Sequence, residues 1–146
     1  MKYTYFIFFF LLFNSCSKDE LSLMECLCEQ GDQIPLFKGC PDEVCDDSIY
    51  KCAEGAFLDK IYENLSYPLE ARQDTIEGMV VVKFLVSEKG ELSNFKTTNE
   101  PLGYGLEEAA LIAAKSLKNP GFYPAYKNCQ PVEFEYVFPI RFKVGI

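Results

Sequence analysis

Val132-Glu133-Phe134-Glu135-Tyr136-Val137-Phe138-Pro139-Ile140-Arg141-Phe142-Lys143-Val144 puts an apolar residue at every second position. Val132, Phe134, Tyr136, Phe138, Ile140, Phe142 and Val144 form one row. Glu133, Glu135, Arg141 and Lys143 fill gaps in the other. Period-two alternation of this kind predicts a β-strand with one buried and one wet face. Pro139 falls inside the run, and a proline has no N–H to give to a ladder, so the strand belongs at the edge of its sheet.

Working outward from that strand, residues 79–86 are a β-branched and aromatic run bounded by Gly78 and by Ser87-Glu88-Lys89-Gly90. Residues 92–98 can return as its hairpin partner. Upstream, Phe57, Leu58, Ile61, Tyr62 and Leu65 recur at helical spacing, with Asp59, Lys60, Glu63 and Asn64 between them. The helix must stop before Tyr67, because the residue ahead of Pro68 avoids the helical region. Residues 106–118 read as a second helix. Glu107 and Glu108 in its first turn and Lys115 and Lys118 in its last suit the macrodipole, and Pro120-Gly121 end it. Helix, hairpin, helix and strand in that order predict an α+β domain, two helices packed on a small antiparallel sheet.

The front of the chain reads differently. Met1-Lys2-Tyr3 precede an apolar run over residues 6–13 and small polar residues before Cys16. Such a core suits a signal peptide and is shorter than the roughly 20 residues a spanning helix needs. The 146-residue chain has a net charge of -8, and loss of Lys2 with the leader takes the mature chain to -9. The charge is concentrated at residues 17–55, where ten acids meet three bases. A field of this sign repels a phosphate backbone, so nucleic acid is not an expected partner. With no His in the chain, His-based triads and His-ligated metals are excluded.

Seven cysteines stand at positions 16, 26, 28, 40, 45, 52 and 129. Leu12-Phe13-Asn14-Ser15-Cys16 resembles a bacterial lipobox, with Phe13 where a smaller aliphatic residue is usual. The resemblance implies that Cys16 becomes the lipidated N-terminus and holds the protein to a membrane. Ser17-Lys18-Asp19-Glu20 is similar to the surface-export signal of some Gram-negative lipoproteins. Six cysteines would then remain, an even number that reads as up to three disulfides in an oxidising compartment. The chain divides into a signal peptide (1–15), a tether (16–25), a Cys-rich acidic extension with no sustained periodicity (26–55) and the patterned domain (56–146).

The patterned domain resembles a TonB C-terminal domain. Leu65-Ser66-Tyr67-Pro68, Ala71, the alternation Gly78, Val80, Val82, Phe84, Val86, and then Gly90 are similar to its opening half. Leu106-Glu107-Glu108-Ala109, Pro120 and Pro124 around an aromatic pair, Pro131-Val132, and Phe138-Pro139-Ile140-Arg141-Phe142 are similar to the rest. Phe122-Tyr123 stand where the family usually has a tryptophan. Members with a Cys-containing extension often carry a Gly-Cys before the first helix and a second Cys soon after. Gly39-Cys40 and Cys52 look like that pair, which implies a Cys40–Cys52 disulfide and leaves the pairing of Cys26, Cys28, Cys45 and Cys129 open.

The resemblance implies a job. Such domains take the extended TonB-box peptide of an outer-membrane transporter as an added strand on their last β-strand. Here the template would be Val132, Glu133, Phe134, Glu135, Tyr136, Val137 and Phe138, whose unpaired edge an incoming strand would satisfy. The alternative is that the Cys-rich extension covers this edge. A TonB-type transducer also has an uncleaved inner-membrane helix and a long Pro-rich linker, whereas residues 16–26 reach at most about 35 Å. The expectation is therefore an outer-membrane lipoprotein of the cell envelope, on either leaflet, that keeps the binding domain. A genuine transducer with residues 1–15 uncleaved and a disulfide-stapled structural lipoprotein are the alternatives.

Other chemistry finds little support. Cys26-Leu27-Cys28 with Cys40, Cys45 and Cys52 matches no standard zinc spacing. Asp42-Glu43 and Asp46-Asp47 lack the loop of alternating oxygen ligands that calcium needs. Gly103-Tyr104-Gly105 precedes a helix without a P-loop lysine, and reads as a loop and cap. Glu107 and Glu108 point to different sides of a helix. No cofactor, no metal and no enzymatic activity are expected.

Overall fold

The computed structural model describes residues 31–41 and 48–144. Its elements are β1 (Leu36–Phe37), α1 (Ser48–Asn64), α2 (Leu69–Gln73), β2 (Gly78–Val86), β3 (Leu92–Thr97), α3 (Leu106–Lys115), β4 (Phe122–Tyr123), β5 (Ala125–Lys127), β6 (Gln130–Val132) and β7 (Phe134–Phe142). A 3-10 turn, Ser116–Lys118, extends α3. The main sheet is antiparallel with strand order β3-β2-β7, and α1 and α3 pack together, α3 lying on β2 and β3. The α+β architecture expected from the pattern is the one observed.

Alternation decides which face of the sheet is dry. Val80, Val82, Phe84 and Val86 of β2 and Phe138, Ile140 and Phe142 of β7 are buried, while the residues between them are not. Rings fill the centre. Phe57 meets Phe138 edge-on at 5.1 Å, and Phe84 stacks on Tyr136 at 5.4 Å. Phe122 touches Phe37, Phe57, Phe84 and Tyr136. Each such pair contributes roughly 0.5–1.5 kcal/mol beyond burial.

Three features depart from the pattern reading. The first helix begins at Ser48, nine residues before Phe57, and so runs across residue 55. Its buried stripe is Ile49, Ala53, Phe57 and Ile61, one residue per turn, and Leu58 and Tyr62, expected on the apolar face, are exposed. A stripe one residue wide, with Ala53 as one of its four members, has little helical signature.

The second departure is at the last strand. Val132 lies in β6, where it pairs with Ala125, and Glu133 is the junction before β7. Asn128 and Cys129, both at positive φ (50° and 59°), form the two-residue turn between β5 and β6. Positive φ at both central positions matches the twist of the flanking strands, so the chain folds back before it enters the sheet. β7 pairs with β2 from Phe134 to Phe142, with Pro139 inside the strand.

Third, part of the Cys-rich stretch is ordered. Residues 33–40 form a strap: Gln33 bridges Tyr126, and β1 pairs with β4 through Leu36–Tyr123 and Phe37–Phe122. Cys40 is bonded to Cys52 on α1, which ties the strap's end to the helix. Gly39 lies so close to α1 that a Cβ there would sit 2.4 Å from that of Ala56.

Candidate functional site

A strand has two edges, and the register states which backbone groups of β7 face away from β2. On the β3 side, the Val81 N–H donates to Asn99 Oδ1 (2.8 Å) and its C=O accepts from Thr98 N–H (3.0 Å). Val81 therefore turns no backbone group toward Pro139, its partner in β7. Antiparallel pairs alternate, so Val80–Ile140, Val82–Phe138, Phe84–Tyr136 and Val86–Phe134 carry the ladder. The backbone groups of Glu135, Val137, Pro139 and Arg141 point to the outside. Pro139 costs the fold no ladder bond, which is why an edge tolerates it.

No strand among the described residues covers that outer edge. The strap runs against β4, not β7. The opposite edge of the sheet is blunted: β3 carries a register shift, a positive φ at Asn94 and the exposed Lys96. Bulges and lysines are the usual protection against unwanted pairing. On β7, N–H groups are offered by Glu135, Val137 and Arg141, and carbonyls by all four outward residues.

Beside this edge lies a groove of about 510 Å³. The strap forms one wall with Ile34 and Leu36, and α1 another with Ala53, Glu54, Phe57 and Leu58. Tyr136, Phe138 and Pro139 of β7 form the floor. Ile34 and Leu58 are 56% and 42% exposed, so two large apolar side chains face solvent here. Glu54 is the one charged residue in the lining. The Tyr136 phenol is pushed above its ordinary pKa of 10.0, first by burial and then by the negative charge of Glu54. On the wet face of the sheet, Lys83 Nζ pairs with Glu135 Oε1 at 3.0 Å, and Val137 is 52% exposed. That pair lies in solvent and is worth little.

Of the residues expected to form the binding strand, Phe134, Glu135, Tyr136, Val137 and Phe138 share β7, and Val132 and Glu133 precede it. The Cys40–Cys52 disulfide is present, with Cα atoms 6.0 Å apart, and Cys129 is also disulfide-bonded. Cys16, Cys26, Cys28 and Cys45 lie outside the described residues, as do the acids at 42, 43, 46 and 47. Among the described residues no group of three or more Cys, Asp or Glu is placed to hold a metal. Ile34 and Glu54 fall in a stretch with no sustained periodicity, and the helical spacing puts Leu58 on the apolar face, so the sequence pattern carries no sign of their place in the groove.

The sequence matches the model of the Gram-negative bacterial TonB protein C-terminal family over residues 63–144. The chain is similar to an NMR solution structure of the Helicobacter pylori TonB-CTD (residues 179–285 of that protein), at 24% identity and a TM-score of 0.48. That alignment covers 62% of this chain and 78% of that one. A shorter solution structure of the same domain (residues 194–285) is 26% identical with a TM-score of 0.44, over 60% of this chain and 94% of that one. No curated protein matches.

Proposed function

This chain belongs to the Gram-negative bacterial TonB C-terminal family, and on that premise we propose that it is a lipid-anchored envelope module whose β7 edge receives an extended transporter peptide. TonB C-terminal domains are protein-interaction domains that engage outer-membrane transporters, and proteins of the family are associated with the cell envelope. The observation that carries the proposed binding mode is the outer edge of β7. It offers backbone donors and acceptors at Glu135, Val137 and Arg141, beside a groove that can take the side chains of a neighbour. Main-chain hydrogen bonds supply affinity in strand addition, and the pockets for alternate side chains supply selectivity.

Anchoring rests on Cys16, which follows the apolar run and the lipobox-like residues 12–16. A lipid there would keep the domain within reach of transporters in the outer membrane. Hydrogen exchange on the full chain, with and without a TonB-box peptide, tests the binding mode. New protection is expected at the amides of Glu135, Val137 and Arg141, with none gained at Phe134, Tyr136 or Phe138, which the β2 ladder already protects. Protection confined to residues 31–40 would overturn the strand-addition reading. Intact-mass measurement of the mature protein tests the anchor, and a product that retains residues 1–15 would refute it.

A further inference from the structure

The groove beside β7 is walled largely by residues that lie ahead of the family match. Ile34, Leu36, Ala53, Glu54, Phe57 and Leu58 all precede residue 63, where the family match begins. The wall is also fixed in place, by the Gln33–Tyr126 bridge, by β1–β4 pairing and by the Cys40–Cys52 bond to α1. A rigid wall built beside an edge selects among the strands that add to that edge.

We infer that this groove selects an added strand with an arginine or lysine at the position opposite Tyr136. This rests on the strand-addition reading above and goes beyond it by naming the side chain. Across the outer edge of β7, Tyr136 and Phe138 turn their backbone groups to β2. A residue added antiparallel opposite Tyr136 would therefore be in a non-hydrogen-bonded pair, where side chains stand closest. That residue's side chain points into the groove, on the same face as Tyr136.

Chemistry then chooses the side chain. The walls are apolar or aromatic, which suits a long aliphatic stem lying between Leu58 and Ile34. The single charge is Glu54, close enough to the phenol of Tyr136 to raise its pKa. Glu54 has no ion pair with any described residue, the Lys83–Glu135 pair being elsewhere. A guanidinium or ammonium would meet that carboxylate where the groove opens to solvent, with its stem along the apolar lining. An aliphatic side chain would fill the walls and leave the carboxylate facing it, and an acidic one would be repelled. The chain's net negative charge also favours a cationic side chain.

The test uses the full chain and three blocked seven-residue peptides of alternating threonine and valine, with arginine, norleucine or glutamate at the centre. Titration calorimetry at low salt gives the affinities, and amide exchange reports where each peptide sits. The arginine peptide should bind about three- to tenfold tighter than the norleucine peptide. Glu54→Gln should abolish that ratio, and Glu54→Lys should turn the preference toward the glutamate peptide. Position 54 is exposed on a helix face, so neither variant threatens folding. Equal affinities, or a ratio that survives Glu54→Gln, would overturn the inference. If the amides of Glu135 and Val137 were still protected, strand addition itself would stand. Failure of all three peptides to protect those amides would overturn both readings.

Discussion

Glu135→Pro separates the two edges of β7 in one substitution. Position 135 faces outward, so its N–H donates to nothing in the sheet, and a proline there repeats what Pro139 already does. The folded state loses the Lys83–Glu135 pair, whose partners are 22% and 50% exposed. An exposed pair is worth about 0.2–1 kcal/mol. Proline's poorer fit to a strand adds a similar amount, for a total near 1 kcal/mol. Tyr136→Pro is the contrast, because that N–H belongs to the Phe84–Tyr136 ladder pair and the ring stacks on Phe84. Loss of the ladder bond and of a large core ring should cost at least about 3 kcal/mol. Glu135→Pro should instead show its main effect in binding, with the fold intact. An edge N–H lost from a strand–strand contact costs about 0.5–1.5 kcal/mol, and the proline ring also occupies the line of approach. A TonB-box peptide should therefore bind Glu135→Pro about tenfold more weakly, with Glu135→Ala close to the parent. Urea unfolding gives the stabilities and calorimetry the affinities. If Glu135→Pro unfolds as readily as Tyr136→Pro, the assignment of inner and outer backbone groups is wrong. If it folds and binds at full strength, the peptide does not lie on this edge.

Two further outcomes follow from the strap and from Tyr136. Cys40 and Cys52 are 12 residues apart in sequence, and a loop of that length implies about 3 kcal/mol from cross-linking. Cys40→Ala with Cys52→Ala should lower stability by about that amount in urea, and an unchanged midpoint would show that the strap is held by the Gln33–Tyr126 bridge and β1–β4 pairing without the disulfide. The Tyr136 phenol should ionise above 10.0 when followed by ultraviolet difference absorbance. Because its folded pKa is raised, the folded state binds more protons than the unfolded one above pH 10.0, and stability falls as pH rises from there. Glu54→Gln should bring the titration down only in part, since burial is the larger cause; a complete return to 10.0 would make Glu54 dominant.

Sequence alone determined the elements whose signals are local. The alternation over residues 134–142 marks a strand with one dry face, and Pro139 marks an edge, because side-chain period and the missing N–H act within the strand itself. The second helix was legible in the same way, from Glu107 and Glu108 at its start and Lys115 at its end. Tertiary structure decided the rest. Val132 leaves the last strand because its partner is Ala125 across a tight turn, and no period-two count registers a turn that keeps the alternation in phase. The first helix reaches back to Ser48 because Ile49 and Ala53 find a pocket under the strap with Leu36 and Tyr126, residues distant in the chain. Ile34, Glu54 and Leu58 become a groove only when the strap is bonded to α1 and laid on β4. Each looks ordinary in sequence, since what unites them is a set of contacts across residues up to about a hundred positions apart, and such contacts leave no periodicity to read.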